Sequence, residues 1–114
     1  MNQAKVIEDT IKELSICESA YVDACREAAE AEAMYKHERS LKYLQADGTI
    51  ADRNAQADVE VWDAHKRKLT AEAMLAITRA KLDNCRNILS ARQSILSAQS
   101  KTNFAMDLHA MKQT

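Results

Sequence analysis

Apolar residues recur in steps of three and four along most of this chain, the spacing of amphipathic helix. Ile7, Ile11, Leu14, Cys17, Tyr21, Cys25, Ala28, Ala31 and Tyr35 form one continuous seam, and Met34, Leu41 and Leu44 carry apolar character beyond it. The pattern predicts a first helix from about Gln3 to Gln45. Small residues line its middle (Ala24, Ala28, Ala29, Ala31, Ala33), where a partner helix can approach closely. Gln45-Ala46-Asp47-Gly48-Thr49 is the one clear break. Gly48 supplies the left-handed conformation that closes a helix, and Thr49 with Asp52 reads as a weak capping box for the next. A second helical stretch is predicted over about 50–97, with 50–57 a candidate short helix and 59 to about 97 the long one. A turn this short sets the long helices antiparallel. The fold class is therefore all-α, a long antiparallel helical hairpin in a single domain covering residues 1–114.

The second long helix carries two apolar stripes. With Lys66 as zero and 100° per residue, Leu75, Leu82, Leu89 and Leu96 fall at roughly 120–180°. Trp62, Leu69, Ala73, Ile77, Ala80, Ile88, Ala91, Ile95 and Ala98 fall at roughly 300° through 40°. One stripe needs one neighbour, and two need two. A bare two-helix hairpin also has little interior with which to offset the entropy of ordering about a hundred residues. A homo-oligomer is expected on both counts, with the leucine row as its interface. Residues 97–103 are polar and are expected to fray or hinge. Phe104, Leu108 and Met111 then make the tail, 98–114, a short amphipathic segment that folds back as a third helix or docks on a neighbouring subunit. Alone it is too short to be stable.

Composition agrees with helix. There is one Gly, no Pro, one Trp and one Phe, too few turn formers and aromatics for a β-rich or α/β domain. The charged share of 29% beside 46% apolar residues argues against disorder. Net charge is −1, but residues 1–65 hold seven Lys/Arg against fourteen Asp/Glu, and residues 66–114 hold nine against three. One reading is an acidic helix laid against a basic one. The other is a basic surface for nucleic acid or another acidic partner. Lys68, Arg79 and Arg86 fall at about 200–220°, and Lys66, Arg67, Lys81 and Arg92 at about 0–100°. These seven are the candidate DNA-binding residues, since an oligomer repeats each row in every subunit and phosphate binding grows with the number of contacts. Platforms for stacking bases are few: Tyr35, Tyr43, Trp62 and Phe104, with Trp62 assigned to the core.

Catalytic chemistry is not visible. One glycine rules out phosphate-cradling and nucleophile-elbow motifs. His37, His65 and His109 are scattered, and Glu27, Glu30 and Glu32 follow no cation-loop pattern, so no metal ligand or cofactor is assigned. Cys17, Cys25 and Cys85 form no CxxC pair. They read as reduced packing residues of a cytoplasmic protein, with Cys85 lacking a nearby His to make it a nucleophile. Lys5, Glu8 and Asp9 interrupt any leader-like start, and no apolar run has membrane-spanning length. The chain is read as a non-enzyme.

Three stretches together carry a resemblance: Ala31-Glu32-Ala33-Met34-Tyr35-Lys36, then Ala46-Asp47-Gly48-Thr49-Ile50-Ala51-Asp52-Arg53-Asn54-Ala55, then the basic helix to Ile95-Leu96-Ser97. This order resembles small phage helical-hairpin proteins similar in design to UvsY-type recombination mediators. The resemblance covers about residues 31–98, and its matching positions are the turn residues Gly48, Thr49, Arg53 and Ala55. It implies a ring-forming helical protein of the host-cell cytoplasm that binds single-stranded DNA and helps load a recombinase.

Two functional classes follow. The first is a non-enzymatic oligomer that binds single-stranded DNA and assists recombination or replication. The second is a coiled-coil protein-interaction module, such as an assembly factor or an inhibitor of a host defence protein, with room for a nucleotide between subunits. Salt-sensitive binding to oligonucleotides separates them.

Overall fold

The computed structural model describes residues 2–113. It consists of α1 (Gln3–Gln45), α2 (Ile50–Glu60) and α3 (Trp62–Gln113), with no strand among the described residues. The all-α class read from periodicity is what the chain adopts.

Local chemistry sets each boundary. Asn2 caps α1, its Oδ1 accepting the Ala4 N–H at 2.9 Å, which satisfies a donor the first turn leaves open. Gly48 sits at φ +106°, open to glycine and costly for other residues. The Thr49–Asp52 capping box is present in both directions: the Asp52 N–H donates to Thr49 Oγ1, and the Thr49 N–H donates to Asp52 Oδ2, each at 3.2 Å. A β-carbon on Gly48 would stand 2.9 Å from Asp52 Oδ2. Gly48→Ala is therefore expected to cost about 1–3 kcal/mol, from left-handed strain plus damage to the cap. A lowered urea midpoint checks this.

The break after α2 is at Val61, a few residues beyond where the sequence placed it. No glycine or proline marks it. The Val61 N–H donates to the Ala57 carbonyl at 3.0 Å, and its own carbonyl accepts the His65 N–H at 2.9 Å. The helix is thus interrupted at one residue with hydrogen bonds kept on both sides. The expected fray at 97–103 does not occur, because α3 runs on to Gln113. That stretch lacks Gly and Pro, Ala98 within it and Ala105 just beyond it favour helix, and Thr102 Oγ1 donates to the Ala98 carbonyl at 2.9 Å. Nor does the tail fold back as a separate helix. It is part of α3, and its side chains from residue 97 to 112 are exposed.

Contacts divide the chain into two compact units, Ser19–Ala80 and the first 18 residues with the stretch from Lys81 onward. In the first, the hairpin unit, the sheltered positions include Tyr21, Ala24, Ala28, Ala31 and Tyr35 of α1, and Val61 at the break followed by Ala64, Lys68, Ala71, Leu75 and Thr78 of α3. Both series step by three and four, the spacing of knobs-into-holes packing. Here α2 is tied to α1 by Arg39, which donates to Asp58 at 3.0 Å and to Asn54 at 3.1 Å, and by a Lys42–Glu60 pair at 3.6 Å. Ala57 is wholly buried there.

The second, terminal unit continues the same spacing with Ile7, Thr10, Leu14 and Cys17 of α1 and Leu82, Cys85, Leu89, Arg92 and Leu96 of α3. Each step back along α1 matches a step forward along α3: Cys17 meets Cys85, and Thr10 meets Arg92. Thr10 is buried, donates to the Val6 carbonyl at 2.8 Å and accepts from Arg92 Nη1. A polar layer of this kind fixes helix register, since a slip would strand both groups.

The buried apolar residues are Ala31, Ala46, Ala57, Val61, Ala71 and Leu82. Most are alanines, each sheltering one methyl, worth about 0.8 kcal/mol. A core this thin leaves the large apolar side chains elsewhere.

Candidate interaction surface

The seven basic residues of α3 separate into two groups. Arg67, Lys68, Arg86 and Arg92 are engaged within the chain. Arg67 places Nε and Nη2 on Glu27 Oε1 at 3.1 and 2.8 Å, and that hydrogen bond raises its pKa. Lys68 pairs with Glu72 at 2.9 Å with its side chain only 20% exposed, and its ammonium lies 5.7 Å from the centre of the Tyr35 ring. The Glu72 hydrogen bond holds the Lys68 pKa above the ordinary lysine value, against the opposing effect of burial. Arg86 stands 4.0 Å from Asp83, and Arg92 is committed to Thr10. Lys66, Arg79 and Lys81 are exposed and form no ion pair among the described residues.

The predicted row Lys68, Arg79 and Arg86 is therefore uneven, with its first member turned inward at a seam position. The acidic-helix-on-basic-helix reading also holds only in part. Arg67 on Glu27 follows it, but near the turn the polarity reverses: Arg39 and Lys42 of α1 pair with Asp58 and Glu60 of α2. Much of the acidity of α1 is balanced within that helix, as in Lys12–Glu8, Arg26–Asp23 and Lys36–Glu32. Such exposed pairs each contribute only about 0.3–0.5 kcal/mol.

The leucine row is placed differently from the expectation. Leu82 is 3% exposed, and Leu75, Leu89 and Leu96 are half-buried at seam positions. The row is thus largely occupied inside the single chain. The reason lies in period: α1 and α3 both follow a strict three–four alternation, so the leucines fit the seam of α1. The other stripe is the open one. Trp62, Leu69 and Ile77 are exposed in the hairpin unit, and Ile88 and Ile95 in the terminal unit. The large apolar side chains that α3 leaves exposed therefore lie mainly on that stripe, not on the leucine row.

Trp62 is a further correction. The sequence placed it in the core, yet it is 59% exposed. Its ring stacks on His65 with centroids 5.9 Å apart, and His65 meets Tyr35 edge-on at 4.9 Å. One helical turn on lies Lys66, on the same side of α3. The only hint of this cluster in sequence was the Trp62–His65–Lys66 spacing, and hydrophobic periodicity masked it. Beside it runs a groove of about 710 Å³ with Ala20, Ala24, Ala71 and Met74 among its lining and Asp23, Glu27, Lys66 and Arg67 along its rim. Its small residues come from both helices, Ala20 and Ala24 of α1 and Ala71 of α3.

The turn residues that carried the resemblance serve the hairpin itself. Gly48 and Thr49 form the cap, Arg53 lies 6.0 Å from the Tyr43 ring centre, and Ala55 is exposed. Among the described residues, no group of His, Cys, Asp and Glu is placed to hold a metal ion. No described helix is long and apolar enough to cross a membrane. Comparison with protein families, with curated proteins and with solved structures gives no match.

Proposed function

We propose that the protein is a non-enzymatic helical interaction module that assembles with further copies of itself through the outer stripe of α3. The observation that carries this reading is the imbalance of apolar side chains. The single chain buries mostly alanine, while Trp62, Leu69, Ile77, Ile88 and Ile95 stay exposed on α3 alone. Burying such side chains contributes about 1.5–3 kcal/mol each, more than this core supplies from its methyl groups. A second copy is the partner whose surface is matched in chemistry, since an isologous pairing sets stripe against stripe. The alanine-rich groove beside Lys66 and Arg67 offers room for a close helix approach.

Binding of single-stranded DNA is the second reading. It is favoured by the exposed Trp62, stacked on His65, one turn from the unpaired Lys66. An aromatic face beside a cation is the minimal element for holding an unpaired base and its phosphate. Asp58 lines the same open surface hollow as Trp62 and Asp63 follows Trp62 in sequence, so phosphate contact at this cluster depends on Lys66. Assistance to recombination is what the resemblance to UvsY-type mediators adds. Fluorescence anisotropy with a labelled single-stranded oligonucleotide tests it. The DNA reading expects affinity that falls steeply with salt, and a Trp62→Ala, Lys66→Ala variant weaker by roughly tenfold or more with a flatter salt slope. Wild-type protein without an anisotropy change at low salt leaves the self-assembling module as the function.

A further inference from the structure

Two thiols face each other across the α1–α3 seam of the terminal unit. Cys17 and Cys85 are 68 residues apart in sequence, yet their Sγ atoms stand 3.2 Å apart, and both are free. Each sits on helix, one turn from a leucine of the seam, Leu14 beside Cys17 and Leu82 beside Cys85. Their approach is therefore set by coiled-coil register and not by a loop. Both are half-buried, so a small reagent has access from the side. Cys25 is also free and half-buried, but it has no sulfur neighbour among the described residues.

We propose that Cys17 and Cys85 form an oxidisable pair that low-molecular-weight disulfides of the glutathione class convert to an intrachain disulfide, stapling α1 to α3. One cysteine thiolate attacks the reagent RSSR, forms a protein–S–S–R bond and expels RS⁻, which takes up a proton. The second cysteine thiolate attacks the protein sulfur of that bond, forms the Cys17–Cys85 disulfide and expels the second RS⁻. Two protein thiols and one RSSR become one protein disulfide and two RSH. The sulfurs close from 3.2 Å to about 2.05 Å.

The local electrostatics set the pace. The Cys17 thiol is held above its ordinary pKa, first by its hydrogen bond with Cys85, then by burial, by the charge of Cys85 and by that of Glu13, with Lys81 opposing. Less thiolate is present at neutral pH, so exchange quickens as pH rises. The staple matters because it spans a long stretch of chain in a unit where, among the described residues, Leu82 is the one buried large apolar side chain.

The experiment incubates the reduced full chain with oxidised glutathione at mildly alkaline pH, then combines peptide mapping by mass spectrometry with thermal melting. The expected result is a mass loss of about 2 Da per chain, a linked peptide pair containing Cys17 and Cys85, and a Tm higher by roughly 10 °C that dithiothreitol reverses. Cys25→Ser is expected to behave like wild type. Cys17→Ser, or Cys17→Ala should the serine variant fold poorly, is expected to stop at a glutathione adduct with no gain in Tm. Linkage through Cys25, disulfides between chains, or adducts alone on the wild type would overturn the proposal.

Discussion

Leu82→Glu is expected to melt the pairing of α1 with α3 in the terminal unit, rather than merely to release one copy of the protein from another. Leu82 is 3% exposed and is the largest apolar side chain in a core otherwise made mostly of alanine. The substitution removes its burial and puts a carboxylate where no cation is paired to it, at a combined cost of about 3–5 kcal/mol. Much of the stability of a small domain is of that size. Circular dichroism should register loss of helix and a collapsed urea midpoint. Leu89→Glu, at a half-buried seam position, should do less. A Leu82→Glu variant with wild-type helix content and midpoint would mean that the seam described above is wrong.

The opposite behaviour is expected on the outer stripe. Leu69 and Ile77 are 47% and 48% exposed in the single chain, so Leu69→Glu with Ile77→Glu removes little packing within the chain. In an assembly built on that stripe the two carboxylates would be buried without partners, at about 1–3 kcal/mol each. Self-association should weaken by roughly 100-fold or more, with helix content retained at high protein concentration. Light scattering beside circular dichroism reads both quantities. A variant that assembles as tightly as wild type would remove the outer stripe from the interface.

Most of the fold was legible because helix formation in this chain depends on local signals. The three–four spacing, the single Gly48 and the Thr49–Asp52 pair placed α1 and its turn at the residues where they occur. The break at Val61 was less legible: it carries no breaker residue and is marked only by the buried Ala57 and Val61. Continuation of α3 through residues 97–103 was misjudged because polarity was weighed above propensity, and Thr102 and its neighbours are compatible with helix. The site was harder to read. A helical wheel finds two stripes on α3 but does not say which one α1 occupies, and the heptad spacing of leucine is as suited to an intrachain seam as to an oligomer. Charge has the same ambiguity. Lys66 and Lys68 are two residues apart, yet one is free at the surface and the other is held between Glu72 and Tyr35, a difference set by register.

Sedimentation equilibrium of the reduced wild-type protein at micromolar concentration tests the central claim most directly, that the outer stripe of α3 is covered by another copy. The account predicts a dimer or larger species whose Tm rises with protein concentration, and its conversion to smaller species by Leu69→Glu with Ile77→Glu. A fully helical monomer with a concentration-independent Tm would contradict it.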